Sequence, residues 1–361
     1  MRLKLGRHTL LSSSQATPFT KIFFAAYCQG LAKAGLSKTS EATAVVFATH
    51  SNFYGFPVPA SLFRDVAPER HKELIVSSLN NVDPADDTVR IRPPVDKAIG
   101  PFVGHFNSFR ALRPLGEARK KDLPIDSPFN PDNFHFGKVQ PPEIFLETKE
   151  SGRTLSFLYN LFPLAPFHSL LVPDRKANRP QYIDDIGQLT FIWEFIYQAG
   201  DPNLRIGYNS LGAHASVNQF HYQLFYNTTT WRPPIEALVE AMPKGVNVMN
   251  DWPLRQTTVF KGIGKETSLN EVFYCLKRLH AAAQKNPNTI AYNLYIMPEA
   301  IVLLPRAHQS TYTNYLNTAG AFTSGPAFAE MTGYWFVTTE THQQNLTEAQ
   351  IRRAYEIISL K

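Results

Sequence analysis

The chain has 361 residues, of which 36 are Lys or Arg and 30 are Asp or Glu, so its formal charge is +6. The whole excess lies in residues 1–40, which hold six basic side chains and no acidic one, and residues 41–361 carry 30 of each sign. A composition of 43% hydrophobic and 18% charged residues excludes collagen, coiled coil and general disorder, and the neutral body argues against a nucleic-acid-binding surface.

The first predicted element is a helix over residues 17–34, which Gly35 ends. Its apolar residues recur at near-helical spacing, typical of an amphipathic helix. The acid-free, Ser-bearing N-terminus also fits an organelle transit peptide, and the sequence leaves both interpretations open. Residues 41–80 are mixed and partly helical, and the Asn-, Asp- and Pro-rich residues 79–94 predict a loop.

The middle of the chain has a more regular pattern. The predicted elements in chain order are strands at 144–146, 154–161 and 169–172, a helix at 181–198 ended by Gly200, and strands at 204–208 and 217–226. From residue 154 on, this is an order of two strands, a helix and two strands, which is typical of an α+β lobe with one antiparallel sheet.

The second half begins after a Pro- and Trp-bearing link near residues 231–253. Capping boxes from Ser268 to Glu271 and from Thr347 to Gln350 predict the starts of two helices.

An internal repeat indicates how the halves are related. Residues 159–162 (Tyr-Asn-Leu-Phe) lead to Leu-Leu-Val-Pro at 170–173, and residues 292–295 (Tyr-Asn-Leu-Tyr) lead to Val-Leu-Leu-Pro at 302–305. Each copy predicts a hairpin. We interpret them as duplicated lobes packed as a pseudo-dimer, with a chance match of short motifs as the alternative.

Cysteine content and hydropathy bear on the compartment. Cys28 and Cys275 are too few for a disulfide framework or a four-thiolate zinc site, which favours a reducing environment. The most apolar stretch, 156–172, is interrupted by Asn, Pro and His and falls short of the roughly 20 apolar residues that cross a bilayer. We expect a soluble, cytoplasmic protein without membrane or nucleic-acid partners. The oligomeric state is not predicted.

The segment 217–226 carries the candidate chemistry. At the period of a strand, one face holds four apolar or aromatic residues and the other holds Gln219, His221 and Gln223. His221 is the side chain of this face that can act as a nucleophile or exchange a proton near pH 7. Gln223 is placed to donate an amide proton to the same ligand.

The preceding turn, 207–216, is rich in Gly, Ser and Asn, so its backbone N–H groups are suited to an anion. Together with donors from Ser216 and Gln223, this layout fits phosphoryl or nucleotidyl transfer through a covalent histidine. The same alternation also fits a half-exposed sheet with a solvated His. No metal is expected, since no second His or carboxylate stands at ligand spacing on that face.

At these residues the chain resembles the histidine-triad superfamily, in the branch of galactose-1-phosphate uridylyltransferase and the GDP-hexose phosphorylases. The long matching block is 205–223, and shorter ones follow the family's order at 104–110, 134–140, 291–294 with 302–306, and 330–333. The resemblance implies an α+β fold of two histidine-triad-like lobes. The expected domains are an N-terminal extension (1–99), a catalytic lobe (100–235) and a second, non-catalytic lobe (236–361).

The resemblance also implies residue roles. His221 would be the nucleophile that takes the nucleotidyl group, and Gln223 would hold the transferred phosphate. Ser216 and Asn209 would be phosphate contacts from the turn. Gln219 stands where the family commonly has a second histidine, and we count it among the substrate-binding residues.

The matching blocks also contain Lys and Arg side chains, which are suited to binding a pyrophosphate. Lys138 and Arg110 are the candidates for substrate binding, and Arg205 is either a further one or a residue that faces water. His168, just before a predicted strand, stands where the superfamily often has a His, and a structural role is expected for it.

The function implied is that of a GDP-hexose phosphorylase, which releases hexose 1-phosphate and GDP from a GDP-hexose and phosphate through a guanylyl-histidine, without a cofactor. Its partners would be small molecules, a nucleotide sugar and phosphate. The alternatives are a nucleotidyltransferase or hydrolase for another nucleotide sugar or a dinucleoside polyphosphate, and a degenerate nucleotide-binding protein.

Overall fold

The computed structural model describes residues 17–36, 46, 50, 58–59, 82–83, 88–89, 94–107, 122–150, 152–227, 231–262, 267–312, 325–337 and 339–361. The helices in this part of the chain are α1 (Pro18–Leu36), α2 (Ile186–Ala199), α3 (Ile235–Ala241), α4 (Thr267–Lys285), α5 (Phe328–Met331), α6 (Glu340–Asn345) and α7 (Glu348–Ile358).

Its strands, in chain order, are β1 (Val58–Pro59), β2 (Val82–Asp83), β3 (Thr88–Val89), β4 (Val95–Ile99), β5 (Phe102–Phe106), β6 (Ile144–Glu150), β7 (Arg153–Tyr159), β8 (Ser169–Pro173), β9 (Leu204–Asn209), β10 (Tyr222–Tyr226), β11 (Gly245–Val248), β12 (Thr258–Lys261), β13 (Ile290–Met297), β14 (Ala300–Ala307) and β15 (Tyr334–Val337).

Nine of these strands form one antiparallel sheet in the order β11-β12-β14-β13-β9-β10-β8-β7-β6. The strands β9 and β13 pair at its centre, where Asn209 lies opposite Asn293. On one side the chain runs β7-β8-α2-β9-β10, and on the other it runs β11-β12-α4-β13-β14. The predicted α+β architecture of two similar lobes is therefore confirmed.

The internal repeat, however, aligned strands that are not equivalent. Both predicted hairpins form, since β7 pairs with β8 and β13 pairs with β14. The counterpart of β13 is nevertheless β9, because each follows the helix of its lobe and the two meet at the centre of the sheet. Tyr292-Asn293 therefore corresponds to Tyr208-Asn209, and the match to residues 159–160 was wrong. Strand order, which a four-letter match does not encode, decides the equivalence.

Both faces of the nine-stranded sheet are buried at its central strands. Leu224 and Leu294 belong to a core on which α1, α2 and α4 pack, whereas Phe225 and Tyr295 belong to a second core with α3, α5 and α7. A sheet covered on both faces has few polar positions, which explains why the burial of β9 and β13 does not alternate.

Helix boundaries follow from their caps. The helix α1 confirms the first predicted element, although it continues through Gly35 to Leu36. The helix α2 begins later than predicted because Asp185 caps it, its Oδ1 accepting the Gly187 N–H at 2.8 Å, and Gly200 ends it with φ of +61°. The capping box at Thr347 opens α7 as predicted. The helix predicted from Ser268 is α4, whose cap side chains lie outside the described residues.

A three-stranded sheet links the N-terminal part to the end of the chain. β4 and β5 form a hairpin, and β5 pairs in parallel with β15. The expected domain boundary between residues 99 and 100 therefore falls inside this hairpin. Across the residues described, no helix has the length and apolar character that crossing a membrane requires.

Candidate active site

His221 lies immediately before β10. The predicted strand 217–226 is shorter than expected, because the backbone before Tyr222 bonds elsewhere: the Phe220 N–H donates to Arg179 O at 2.8 Å. Gln219, His221 and Gln223 therefore do not share one strand face, which corrects the predicted alternation. The Gln181 side chain fixes the His221 backbone instead, accepting its N–H at 2.8 Å and donating to its carbonyl at 3.1 Å.

The hydrogen bond of the His221 imidazole defines its tautomer. Nδ1 lies 2.7 Å from the carbonyl oxygen of Gln219. Because a carbonyl oxygen only accepts, Nδ1 carries the proton and the neutral ring has its lone pair on Nε2. The side chain is buried, and the ring of Phe136 packs edge-on against it with the centroids 5.0 Å apart. The ring is thus held in the form that a nitrogen nucleophile requires.

Gln223 is held by His168, which immediately precedes the neighbouring strand β8. His168 Nδ1 accepts the Leu164 N–H at 2.9 Å, so the neutral ring carries its proton on Nε2 and donates it to Gln223 Oε1, also at 2.9 Å. The His168 ring stacks on Phe225 with centroids 4.0 Å apart. With its oxygen fixed in this way, Gln223 presents its amide nitrogen as the group that can donate to an anion.

Asn209 lies beside His221, because Gln181 Nε2 donates to the backbone carbonyls of both residues. Asn209 Oδ1 accepts from Asn293 Nδ2 at 2.7 Å and from the Phe328 N–H at 3.0 Å. The oxygen is therefore committed to the protein, and the amide nitrogen is again the donor that this side chain can offer.

The predicted anion-binding turn uses part of its backbone internally. The N–H groups of Ala213 and Ala215 both donate to Ser210 O, at 3.1 and 3.4 Å. Gly212 has φ of +74°, and its Cα lies so close to the His308 ring that a side chain would collide with it. Ser216 is half-buried at the end of this turn, and its contact with phosphate stays a prediction.

The side-chain amide of Gln219 is bound within the protein, and its contact with substrate stays a prediction. It is buried, its Oε1 accepts the Phe136 N–H at 2.6 Å, and its Nε2 donates to Arg175 O at 2.6 Å. Both polar ends of the amide are thus bound to backbone. Gln219 holds the segment that carries Phe136 against the His221 ring.

The ammonium group of Lys138 is also bound within the protein. Its Nζ donates to the carbonyl oxygens of residues 131, 132 and 133 at 2.8–3.1 Å, which occupies the three ammonium protons. Lys138 stabilises its own loop, and its contact with a pyrophosphate stays a prediction. Arg110 lies outside the described residues.

Arg205 does not face water. It is buried on β9 and forms a bidentate pair with Glu236 of α3, at 2.9 and 3.1 Å. Burial alone would raise the pKa of Glu236, but the Arg205 bonds and charge outweigh it and hold the pKa below its usual value. The pair belongs to the protein core.

Three residues that shape the candidate site were not predicted from the sequence. Gln181 bridges His221 and Asn209, Phe136 packs on the imidazole, and Arg175 Nη1 donates to Phe136 O at 3.1 Å. Phe136 lies in a block that resembled the superfamily, which was the available signal. The bonds of Gln181 and Arg175 join distant segments, and no local pattern predicts them. Within the described ranges, no cluster of three or more His, Cys, Asp or Glu residues is arranged to hold a metal ion.

Among solved structures, the chain is similar to yeast Ap4A phosphorylase in complex with Ap4A, with a TM-score of 0.51 and 17% identity over 74% of this chain and 89% of that one. At 17% sequence identity, this similarity shows the fold alone. Together with the two-lobed antiparallel sheet, the likeness defines the class of fold, an α+β chain built of two similar lobes.

The sequence comparisons identify more specific relatives. Residues 100–225 match the family described as "GDPGP1-like, N-terminal domain". The chain is 38% identical over 128 residues to GDP-D-glucose phosphorylase 1 of Danio rerio, covering 35% of this chain and 36% of that protein. It is 24% identical over 291 residues to GDP-L-galactose phosphorylase 2 of Arabidopsis thaliana, covering 72% and 64%. The matches thus span between about a third and two thirds of the relatives' lengths.

Proposed function

We propose that the protein is a GDP-hexose phosphorylase that uses His221 as a covalent nucleophile. The single observation that carries this is the Nδ1–H···O=C bond from His221 to Gln219, which leaves the lone pair on Nε2. The names of the relatives, GDP-D-glucose phosphorylase 1 and GDP-L-galactose phosphorylase 2, support the substrate class. The substrates would accordingly be a nucleotide sugar and inorganic phosphate.

In the first step, Nε2 of His221 attacks the α-phosphorus of the GDP-hexose. A nitrogen–phosphorus bond forms, the bond from the α-phosphorus to the bridging oxygen breaks, and hexose 1-phosphate leaves with the electron pair. The imidazole becomes positively charged, and the Gln219 carbonyl stabilises that charge at Nδ1. Amide donors from Gln223 and Asn209 would meet the negative charge that develops on the phosphoryl oxygens.

In the second step, an oxygen of inorganic phosphate attacks the same phosphorus from the side that hexose 1-phosphate vacated. The nitrogen–phosphorus bond breaks, its electron pair returns to Nε2, and GDP is released. Hexose 1-phosphate in the first step and the His221 imidazole in the second are both good leaving groups. The scheme therefore requires no metal-bound water or redox group. The neutral His221 tautomer is restored.

The experiment is to incubate the protein with GDP-glucose, GDP-L-galactose or GDP-mannose and phosphate, and to quantify GDP and hexose 1-phosphate. UDP-glucose, ADP-glucose and a dinucleoside polyphosphate serve as competing donors. We expect release from GDP-hexoses that His221→Asn abolishes and that His280→Asn, a buried histidine on the opposite face of the sheet, leaves in place. Turnover of only another donor, or full turnover by His221→Asn, would contradict the proposal.

A further inference from the structure

Phe167, the residue before His168, has a strained backbone. Its φ is +62°, a left-handed conformation that aromatic side chains rarely adopt, and the side chain is buried. A conformation of this kind persists only where the surrounding structure holds it in place. What holds Phe167 therefore also sets the direction in which His168 leaves the chain.

The surroundings of Phe167 are supplied by the N-terminal helix. The ring of Phe24 lies 4.5 Å from that of Phe167 and the ring of Tyr27 lies 5.3 Å from it, measured between centroids. Both residues are on α1. Tyr226, at the end of β10, closes the cluster at 6.4 Å.

Phe167 lies near the end of the loop between β7 and β8, and the N-terminal region also fixes the start of this loop, at Asn160. His50 Nε2 lies 2.7 Å from the carbonyl oxygen of Asn160, so this nitrogen carries the proton, and His50 Nδ1 accepts from the hydroxyl of Tyr27. Burial lowers the pKa of His50 to about 4, which keeps this neutral arrangement at physiological pH. Asn160 Oδ1 in turn accepts the Phe162 N–H at 3.0 Å.

We propose that α1 is a positioning element of the active site: Phe24 and Tyr27 hold Phe167 in the left-handed conformation and thereby direct His168 onto Gln223. The route consists of packed rings and hydrogen bonds, from α1 through Phe167 and His168 Nε2 to Gln223 Oε1. Its effect on turnover rests on the proposed function, whereas its effect on His168 does not. The N-terminal extension is on this account part of the catalytic lobe.

The test compares Phe24→Leu with Phe19→Leu. Both residues are half-buried on α1 and pack on the same core. The ring of Phe24 contacts that of Phe167, whereas the ring of Phe19 contacts those of Phe23, Phe157 and Phe195. We expect the two variants to lose similar thermal stability. We expect kcat for GDP-hexose phosphorolysis to fall on the order of tenfold in Phe24→Leu alone, because small misplacements of a positioning group are costly in rate.

A double-mutant cycle separates positioning from general loosening. Glycine adopts φ of +62° without strain, and Phe167→Gly removes the ring that Phe24 contacts. If Phe24 acts through Phe167, adding Phe24→Leu to Phe167→Gly changes kcat little further. If the double variant instead shows a fall in kcat equal to the product of the falls in the two single variants, the inference is overturned.

A readout independent of turnover is the pair of ring ¹⁵N chemical shifts of His168 in the full-length protein labelled at histidine, assigned with His168→Gln. We expect these shifts to move in Phe24→Leu and to stay at the wild-type values in Phe19→Leu. Equal shifts in both variants would refute the positioning role of α1, even if the protein turns over GDP-hexoses. Conversely, a wild-type protein inactive on every GDP-hexose refutes the proposed function, and the ¹⁵N comparison still decides the role of α1.

Discussion

Replacement of Gln219 by methionine tests whether this residue is a structural clamp or a substrate contact. Met preserves the length of the side chain but removes the amide, so the Phe136 N–H and the Arg175 carbonyl lose partners that lie at 2.6 Å each. A buried backbone group left without a partner costs about 1–3 kcal/mol. Because the Arg175 region is partly accessible to water, we expect a total loss of about 2–4 kcal/mol in the free energy of unfolding.

The assay is urea unfolding followed by circular dichroism, with Gln198→Met as the matched control. Gln198 is exposed on α2, so its replacement should change stability by no more than about 0.5 kcal/mol. We also expect lower kcat in Gln219→Met, because Phe136 and the Gln219 carbonyl hold the His221 ring. Wild-type stability together with a raised KM for the nucleotide sugar would refute the clamp and restore the role predicted from the sequence.

Three further predictions concern the scaffold of the site. Glu236→Gln leaves the buried Arg205 guanidinium without its charge partner and should cost about 3–5 kcal/mol in urea unfolding, whereas Glu240→Gln, at the exposed end of α3, should not differ measurably from wild type; equal losses would contradict this. Burial lowers the pKa of His280 from 6.5 to about 4, so the unfolded state binds an extra proton between these values and stability falls as the pH drops through this window. His280→Gln should reduce that slope by up to about 1.4 kcal/mol per pH unit in unfolding measured at several pH values, and an unchanged slope would disprove the assignment. Gly212→Ala should lower the thermal midpoint more than Gly245→Ala does, since both positions have positive φ but only Gly212 abuts a side chain, His308; a larger effect at Gly245 would contradict the packing.

Much of the fold was predictable because its signals are local. Gly200 at the end of α2 and the apolar runs of β7, β8 and β9 indicate conformations that nearby atoms determine, whereas the Asp185 cap at the start of α2 was not predicted. The two-lobed architecture was also predicted, although the repeat that suggested it aligned the wrong strands. Which strand lies at the centre of the sheet depends on pairing between β9 and β13, and a short motif carries no information about that pairing.

The sequence predicted candidate site residues, which stay predictions, but it did not predict their geometry. The sequence placed Gln219, His221 and Gln223 on one strand, whereas Gln181 and Arg179 draw the backbone before Tyr222 out of the sheet. Gln219 and Lys138 have side-chain chemistry suited to a phosphate, yet their polar atoms are bound to backbone carbonyl and amide groups of nearby segments. Those contacts arise only in the folded chain.

The most direct test of the account is to trap the nucleotide on His221. Protein mixed with a GDP-hexose labelled at the α-phosphorus, without phosphate, should form an acid-labile adduct with the mass of GMP less water, which peptide mapping assigns to His221 and which added phosphate converts to GDP. His221→Asn should form none, and His280→Asn should form as much as the wild type. Phosphorolysis without any such adduct, or an adduct on another residue, would contradict the central claim that His221 is the nucleophile.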